Sequence, residues 1–314
     1  MLKTGATRVL TVGQAHYPLI EIDLGGSTLA ASMANGEYLL SGGDGGAQDG
    51  RRIAAMKVAF FNCLAVSKNG GWIAAGSKGG DIIVWDAKTY KQIFARREDG
   101  HINAVDFSPT STQQLLVATN FTTTIWDVGT REPLRMLPHE SAVRAAKYSP
   151  QGNQFATATR GSVRVWHSNN GQTLAHIKVE VTPLYNGGLL WFRNHLFVVS
   201  GNAIKEFKVP AGSPISEWPV PDSNELSCIA LPEHGKFIAY STNSTITFWD
   251  TSTHTELDLI QHTEDIHSIA FSPDDQFLAF GGESGKMTIM SPSRITVSIR
   301  SGVSKYLFSD HLSA

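Results

Sequence analysis

One dipeptide, Trp-Asp, recurs along this chain at the ends of short β-prone runs, and its spacing limits the folds open to it. Trp85-Asp86 closes Ile82-Ile83-Val84, Trp126-Asp127 closes Thr123-Thr124-Ile125, and Trp249-Asp250 closes Ile246-Thr247-Phe248. Trp166-His167 follows the second pair at a step of about 40 residues, and the same step onward reaches Phe207-Lys208, Trp249-Asp250 and Met290-Ser291. Self-similarity at about 40–45 residues fits one four-stranded sheet repeated around an axis.

Each unit has the same internal order. An apolar strand such as Ile102 to Phe107 comes first, followed by a tight turn such as Ser149-Pro150-Gln151-Gly152 or Ser272-Pro273-Asp274-Asp275. Proline fixes φ there, while Asp, Asn and Gly tolerate the bent positions. A second apolar strand follows (Trp72 to Ala75, Phe155 to Thr157, Phe237 to Tyr240, Phe277 to Phe280), then the strand ending in Trp-Asp, then a more polar fourth strand such as Gln92 to Ala95 or Leu134 to Leu137. No long helical period competes with these strands.

These elements, with the Phe-Ser-Pro turns at Phe107 and Phe271 and the Gly100-His101 pair that opens a unit, resemble the WD-repeat family over nearly the whole chain. The general texture is similar to fungal WD-repeat proteins. The resemblance implies an all-β fold: one β-propeller domain over residues 1–314, of seven blades with an incomplete first one, or six if that unit is lost. It implies structural roles for Trp85, Asp86, Trp126, Asp127, Trp166, Trp249 and Asp250. It also implies a buried network of a loop His, a strand Ser or Thr, a turn Asp and the Trp. The network is thinly kept: His101 and Trp126 are present, but Asn120 or Thr122 stands in the Asp region, and His139 and His262 lie in similar loops. The histidines are therefore read as structural.

The first unit is damaged. Its turn Ala34-Asn35-Gly36 matches Lys68-Asn69-Gly70, and Tyr38 to Ser41 matches Trp72 to Ala75, but Gly45-Gly46 runs into Ala47-Gln48-Asp49-Gly50 where the next unit has Asp81 to Asp86. The third strand and its Trp-Asp are missing. Unpaired strand edges are costly unless a neighbour covers them. The expectation is a three-stranded blade, or one in which Arg51 to Ala55 moves inward. Ring closure has two candidates for the last blade's outer slot, Arg8 to Val12 and Ile295 to Ile299, and residues 300–314 read as a loosely held tail.

Composition narrows the function. Hydrophobic residues make up 41% and charged residues 17% of the 314, and the net charge is −2. No bulk basic excess points to nucleic acid or a membrane surface, and neither a signal peptide nor a membrane span is read from the chain. The expected location is intracellular, cytoplasmic ahead of nuclear. Cys63 and Cys228 occupy the same place in two units four blades apart, so they read as small core residues with no disulfide between them. No catalytic motif is recognised. Gly281 to Lys286 is similar to a phosphate loop but one residue short, with Met287 in place of Ser or Thr. His262, Glu264, Asp265 and His267 gather ligand types in what reads as a loop between units. No metal, cofactor or catalytic residue is assigned.

One column of residues stands apart. Aligning the units places Asn62, Asn103, Arg144, Tyr185, Ser227 and His267 at one site near the start of the innermost strand, between apolar or small neighbours. A varied polar set on a packed strand reads as a ring around the channel mouth that contacts partner proteins, with Arg144 and Tyr185 as the strongest contributors. The leading expectation is a non-catalytic scaffold. The alternatives are a sensor or effector module of a signalling protein, or a propeller hydrolase or lectin, for which the column lacks a carboxylate.

Overall fold

The computed structural model describes residues 61–290 apart from 112, 183–187, 221–225, 264, 272–274, 276 and 283–285, together with the backbone of four strands within residues 6–43. Every regular element among these is a strand, and six four-stranded antiparallel sheets and one three-stranded sheet are formed. No helix among the described residues is long and apolar enough to cross a membrane.

Five of the sheets are consecutive in the chain. The second blade runs Phe61–Val66, Trp72–Ser77, Asp81–Asp86 and Gln92–Arg97 from the axis outward, and the third Ala104–Phe107, Gln114–Ala118, Thr122–Asp127 and Glu132–Pro138. The fourth is Val143–Tyr148, Gln154–Thr159, Ser162–His167 and Thr173–Lys178, the fifth Leu189–Phe192, His195–Ser200, Ala203–Lys208 and Ser213–Pro219, and the sixth Leu226–Ala230, Phe237–Thr242, Thr245–Asp250 and Glu256–Gln261. The innermost strand Thr28–Ser32 of the first blade lies between Ile266–Phe271 of the seventh and Phe61–Val66 of the second, which closes the ring.

Burial follows radius. Second strands are apolar on both faces because each face meets another blade, and in Trp72–Ser77 every residue after the first is buried. Outer strands have one free edge, and no residue of Glu132–Pro138 is buried. The apolar side chains therefore form clusters between successive blades. Ile82, Phe94, Ile102 and Trp126 join the second to the third. Leu116, Ile125, Phe155 and Trp166 join the third to the fourth. Val165, Leu189 and Phe207 join the fourth to the fifth, Phe197, Trp218 and Ile229 the fifth to the sixth, and Phe248, Ile266 and Phe280 the sixth to the seventh. Trp191 lies in the cluster between the fourth and fifth blades, and Phe192 lies so close to Gly235 of the sixth that a Cβ there would sit 2.2 Å from its ring.

The first and seventh blades depart from the expected closure. Among the described residues the first has three strands, in the order Ala6–Thr11, Tyr38–Gly43, Thr28–Ser32. Its third position is taken by the N-terminal run, with Arg8 opposite Ser41 and Leu10 opposite Leu39. That run was expected in the seventh blade. Its place there is held by Leu19–Asp23, which pairs with Lys286–Met290 from Leu19–Met290 to Asp23–Lys286. The reason lies in the unfilled edge of Tyr38–Gly43: six residues of backbone would go unpaired there, and the N-terminal strand satisfies them. The chain thus visits the first blade, the seventh and the first again within its opening 32 residues. Arg51 to Ala55, Ile295 to Ile299 and residues 300–314 lie outside the described residues.

The Trp-Asp pairs divide their work. Trp126 and Trp166 are buried between blades, Trp85 is buried with Ile73 and Ala75 of its own blade, and Trp249 is half-buried. The Asp caps the following turn: Asp86 Oδ1 accepts from the Thr89 amide and hydroxyl at 2.7 Å, Asp127 Oδ1 from the Thr130 amide at 2.8 Å, and Asp250 Oδ1 from the Ser252 and Thr253 amides at 2.7 and 2.8 Å. The Thr89 hydrogen bonds hold the Asp86 carboxyl below its ordinary pKa. Five blades share this turn, in which the amide four residues on returns to the carbonyl of the capping position, and that fourth residue always has positive φ. Where Asp is kept the residue is Tyr90, Arg131 or His254. Where Asp gives way to His167 or Lys208, it is Gly171 or Gly212. The carboxylate cap holds a side chain in the left-handed region, and glycine needs no such help.

This exchange gives a first expected result. Arg131 is exposed, with φ 66°, so Arg131→Gly should raise stability by up to about 1 kcal/mol, and Asp127→Ala should lower it by about 1 kcal/mol. Urea titration of the double mutant should return close to the parent, and a double mutant as weak as Asp127→Ala would disprove the compensation.

Candidate functional site

Every innermost strand begins at the same end of the ring, and four of them begin irregularly. The register shifts between Phe61 and Cys63, Val143 and Ala145, Leu226 and Cys228, and Ile266 and Ser268. The skipped residues are Asn62, Arg144, Ser227 and His267, four members of the polar column. A bulge places one extra residue in a strand and re-aims its side chain, which explains why the column tolerates polar residues between core neighbours. Asn103 precedes its strand, with its amide on the Ala118 carbonyl at 2.8 Å.

The column's side chains do not share one fate. Asn62 Nδ2 donates to the Ile102 carbonyl at 2.8 Å, and Asn103 Nδ2 to the Val143 carbonyl at 2.8 Å and to Asn120 Oδ1 at 3.0 Å. Both asparagines therefore reach the next blade. Ser241 Oγ makes the corresponding bond to the Ile266 carbonyl at 3.1 Å, and the Cys228 thiol lies 2.9 Å from the same hydroxyl. Arg144 is exposed, Ser227 half-buried and His267 buried, while Tyr185 lies outside the described residues. Asn103→Ala should lower stability by roughly 1–2 kcal/mol, because two hydrogen bonds are lost and a carbonyl between blades is left without its donor. A denaturation midpoint equal to that of the parent would show that the bridge contributes nothing.

Below the mouth, the innermost strands of the second to seventh blades enclose a central cavity of about 400 Å³. Asn62, Asn103, Asp106, Lys147 and Ser268 line it among aliphatic residues such as Leu64, Ile229 and Ile269. Of the described column residues, only the two asparagines reach it. Lys147 Nζ pairs with Asp106 Oδ1 at 3.0 Å, and Asp106 Oδ2 accepts the Tyr148 amide at 2.8 Å, so the third and fourth blades are linked across the channel wall. The sequence reading missed this pair. Its signal was present: opposite charges 41 residues apart, at matching places in successive units.

Other chemistry-bearing groups have structural surroundings. His101 is exposed, whereas buried His139 is hydrogen-bonded through Nε2 to Thr123 Oγ1 at 3.0 Å and meets the Trp166 ring edge-on, with centroids 5.6 Å apart. Trp166 Nε1 donates to Thr157 Oγ1 at 2.8 Å. His139 rather than His101 is thus the buried loop histidine beside a tryptophan, with Thr123 and Thr157 as separate partners of the two rings. Burial pushes both the Cys63 and Cys228 thiols up to about 12, which keeps them protonated and poor nucleophiles. Buried Glu206 is satisfied by Ser216 Oγ and His195 Nδ1.

Comparison with known proteins agrees with this geometry. Residues 57–86, 131–167 and 253–289 match the WD domain, G-beta repeat. The second and third stretches begin at the outer strand of one blade and end in the third strand of the next, so each sequence repeat ties two blades together. The chain is 38% identical over 74 residues to WD repeat-containing protein 1 of Gallus gallus, covering 22% of this chain and 12% of that protein. It is 30% identical over 118 residues to small ribosomal subunit protein RACK1y of Oryza sativa subsp. japonica, or 34% of each chain. It is 21% identical over 290 residues to serine-threonine kinase receptor-associated protein of Rattus norvegicus, covering 89% of this chain and 81% of that one. Across chicken, mouse and rat, the match spans only 12% to 14% of the length of WD repeat-containing protein 1. In fold, the Cps50 (Swd1) β-propeller domain of Myceliophteria thermophila is similar at a TM-score of 0.71 and 19% identity, covering 87% of this chain and 99% of that one. Repeated four-stranded blades, buried tryptophans and three matched stretches make this chain a β-propeller that carries WD repeats.

Proposed function

We propose that this chain is a protein-interaction scaffold whose contacting face is the end of the ring where the innermost strands begin. The observation that carries the reading is the recurrent bulge, which sets a different side chain on the same backbone platform in successive blades. A rigid frame presenting varied side chains suits recognition better than a single reaction. The names of two relatives, a small ribosomal subunit protein and a receptor-associated protein, fit a role within assemblies. Arg144 and Tyr185 are the proposed contacts, since Arg and Tyr are enriched among residues that dominate interfaces. Asn62 and Asn103 hold blades together around them, and Ser227 and His267 frame the rim.

The test is affinity capture with the full chain, with cross-linking to locate the contact. Captured proteins should cross-link to this face, and Arg144→Ala and Tyr185→Ala should each reduce capture. Undiminished capture by both folded variants removes these two residues from the site. Recovery of no specific protein removes the scaffold reading.

A further inference from the structure

Between the third and fourth blades, the rim carries an exposed aromatic and two exposed arginines on backbone that is firmly held. Phe121 stands at the tip of the turn before Thr122–Asp127, and its side chain is 59% exposed, the most of the large apolar residues among those described. Its turn is fixed on both sides: the Asn120 carbonyl accepts the Val143 amide at 2.9 Å, and the Phe121 carbonyl accepts the His139 amide at 2.8 Å. Arg144 follows Val143 on the bulge and is exposed. Arg160 is exposed in the equivalent turn of the fourth blade, next to Thr159, which pairs directly with Val143. Its carbonyl accepts the Val181 amide at 2.8 Å. Val143 thus anchors all three positions, with the Phe121 turn on one side, the Arg160 turn on the other and Arg144 following it in the chain.

The charges on this rim are not spent within the chain. Lys147, lower on the same strand, is neutralised by Asp106. Among the described residues, Arg144 and Arg160 form no ion pair, although exposed Glu140 and Glu180 lie in the segments entering and leaving this blade. The segment from 141 to 181 has five Lys and Arg residues and a single carboxylate in a chain whose overall charge is −2. An exposed aromatic on the same rim as two unpaired guanidinium groups offers a partner both an apolar contact and bidentate donors for a carboxylate. Because the backbone is already fixed, little order is lost on binding.

We propose that Phe121, Arg144 and Arg160 form a docking site for an extended segment of a partner protein that carries Asp or Glu next to a large apolar residue. The carboxylate would meet the arginines, and the apolar side chain would lie on Phe121. This deepens the scaffold reading, on which it rests, by naming the partner's chemistry.

The probe is a library of random dodecapeptides selected on the full folded chain, with the selected peptides then measured by fluorescence polarisation. The expected result is enrichment of Asp or Glu next to Leu, Ile, Phe or Trp, with affinity that weakens as salt is raised. Phe121→Ala and Arg160→Ala should each weaken binding by about tenfold, and Arg144→Glu by more. All three positions are exposed, so melting temperatures close to the parent's should accompany the loss. Peptides without acidic residues, binding that survives all three substitutions, or no selected peptide at all would overturn the proposal. Protein capture that persists in the triple variant would overturn this site while leaving the scaffold reading standing, and loss of all capture by the parent chain would end both.

Discussion

Phe155→Ala should cost about 3–5 kcal/mol, the range for emptying a large aromatic site in a packed core. Phe155 has no exposed surface. It pairs directly across the strands with Tyr148 on one side and Trp166 on the other, with ring centroids at 5.9 and 6.2 Å. The same cluster takes in Leu116 and Ile125 of the third blade, so the void would open between two blades. Neither sheet can collapse into it without breaking its own ladder. For a chain of this length, roughly 2 °C of melting temperature is lost per kcal/mol, so a fall of roughly 6–10 °C is expected, with Phe155→Leu losing about a third as much. Calorimetry at one scan rate measures both, and a drop below about 2 °C for the alanine variant would show that the blades repack.

The second large effect is one of pH. His139 is buried against Trp166 and hydrogen-bonded to Thr123. Burial pushes its pKa down to about 4, and the positive charge of nearby Arg164 acts in the same direction. In the unfolded chain the same imidazole takes up its proton near pH 6.5. Between those values the unfolded state binds a proton that the folded state refuses, so stability is full above about pH 6.5 and falls as the pH drops toward 4. A displacement of that size corresponds to about 3 kcal/mol. His139→Gln keeps a group able to bond Thr123 but does not titrate. Denaturant midpoints taken from pH 7.5 to 4.5 should fall much less steeply in this variant than in the parent. His234, whose pKa burial also lowers, contributes to the slope that remains. Parallel curves for the two proteins would exclude His139 as the source.

The two effects show what the repeat does and does not encode. Strand order within a blade could be read from Trp-Asp spacing and turn residues, because each blade is a local meander. The gap in the first unit was also readable, as missing residues where the next unit has Asp81 to Asp86, but not that the N-terminal run would fill the position beside Tyr38–Gly43. Where the N-terminal strands go was not: Arg8 and its neighbours suit either the first or the seventh blade by pattern alone, and the choice depends on which edge stands unfilled once the ring is formed. The compensation between Asp caps and glycine lay open in the sequence at 127 and 131, 167 and 171, and 208 and 212, but its meaning depends on a positive φ that only the folded turn reveals.

The Trp-Asp repeat on which everything rests determined the all-β architecture, the resemblance to WD-repeat propellers and the column of residues at the start of the inner strands. Four-stranded sheets whose second strands are apolar on both faces bury those faces against one another, and a closed ring of such sheets achieves this for every blade. Tertiary structure alone decided what that column means. The bulge turns the same position into a bridge to the next blade at Asn62 and Asn103, an exposed cation at Arg144 and a buried ring at His267. It also brought Phe121 and Arg160 to the two sides of Val143. Side chains from two blades meet there, and no pattern within one repeat records which parts of its neighbour it will touch.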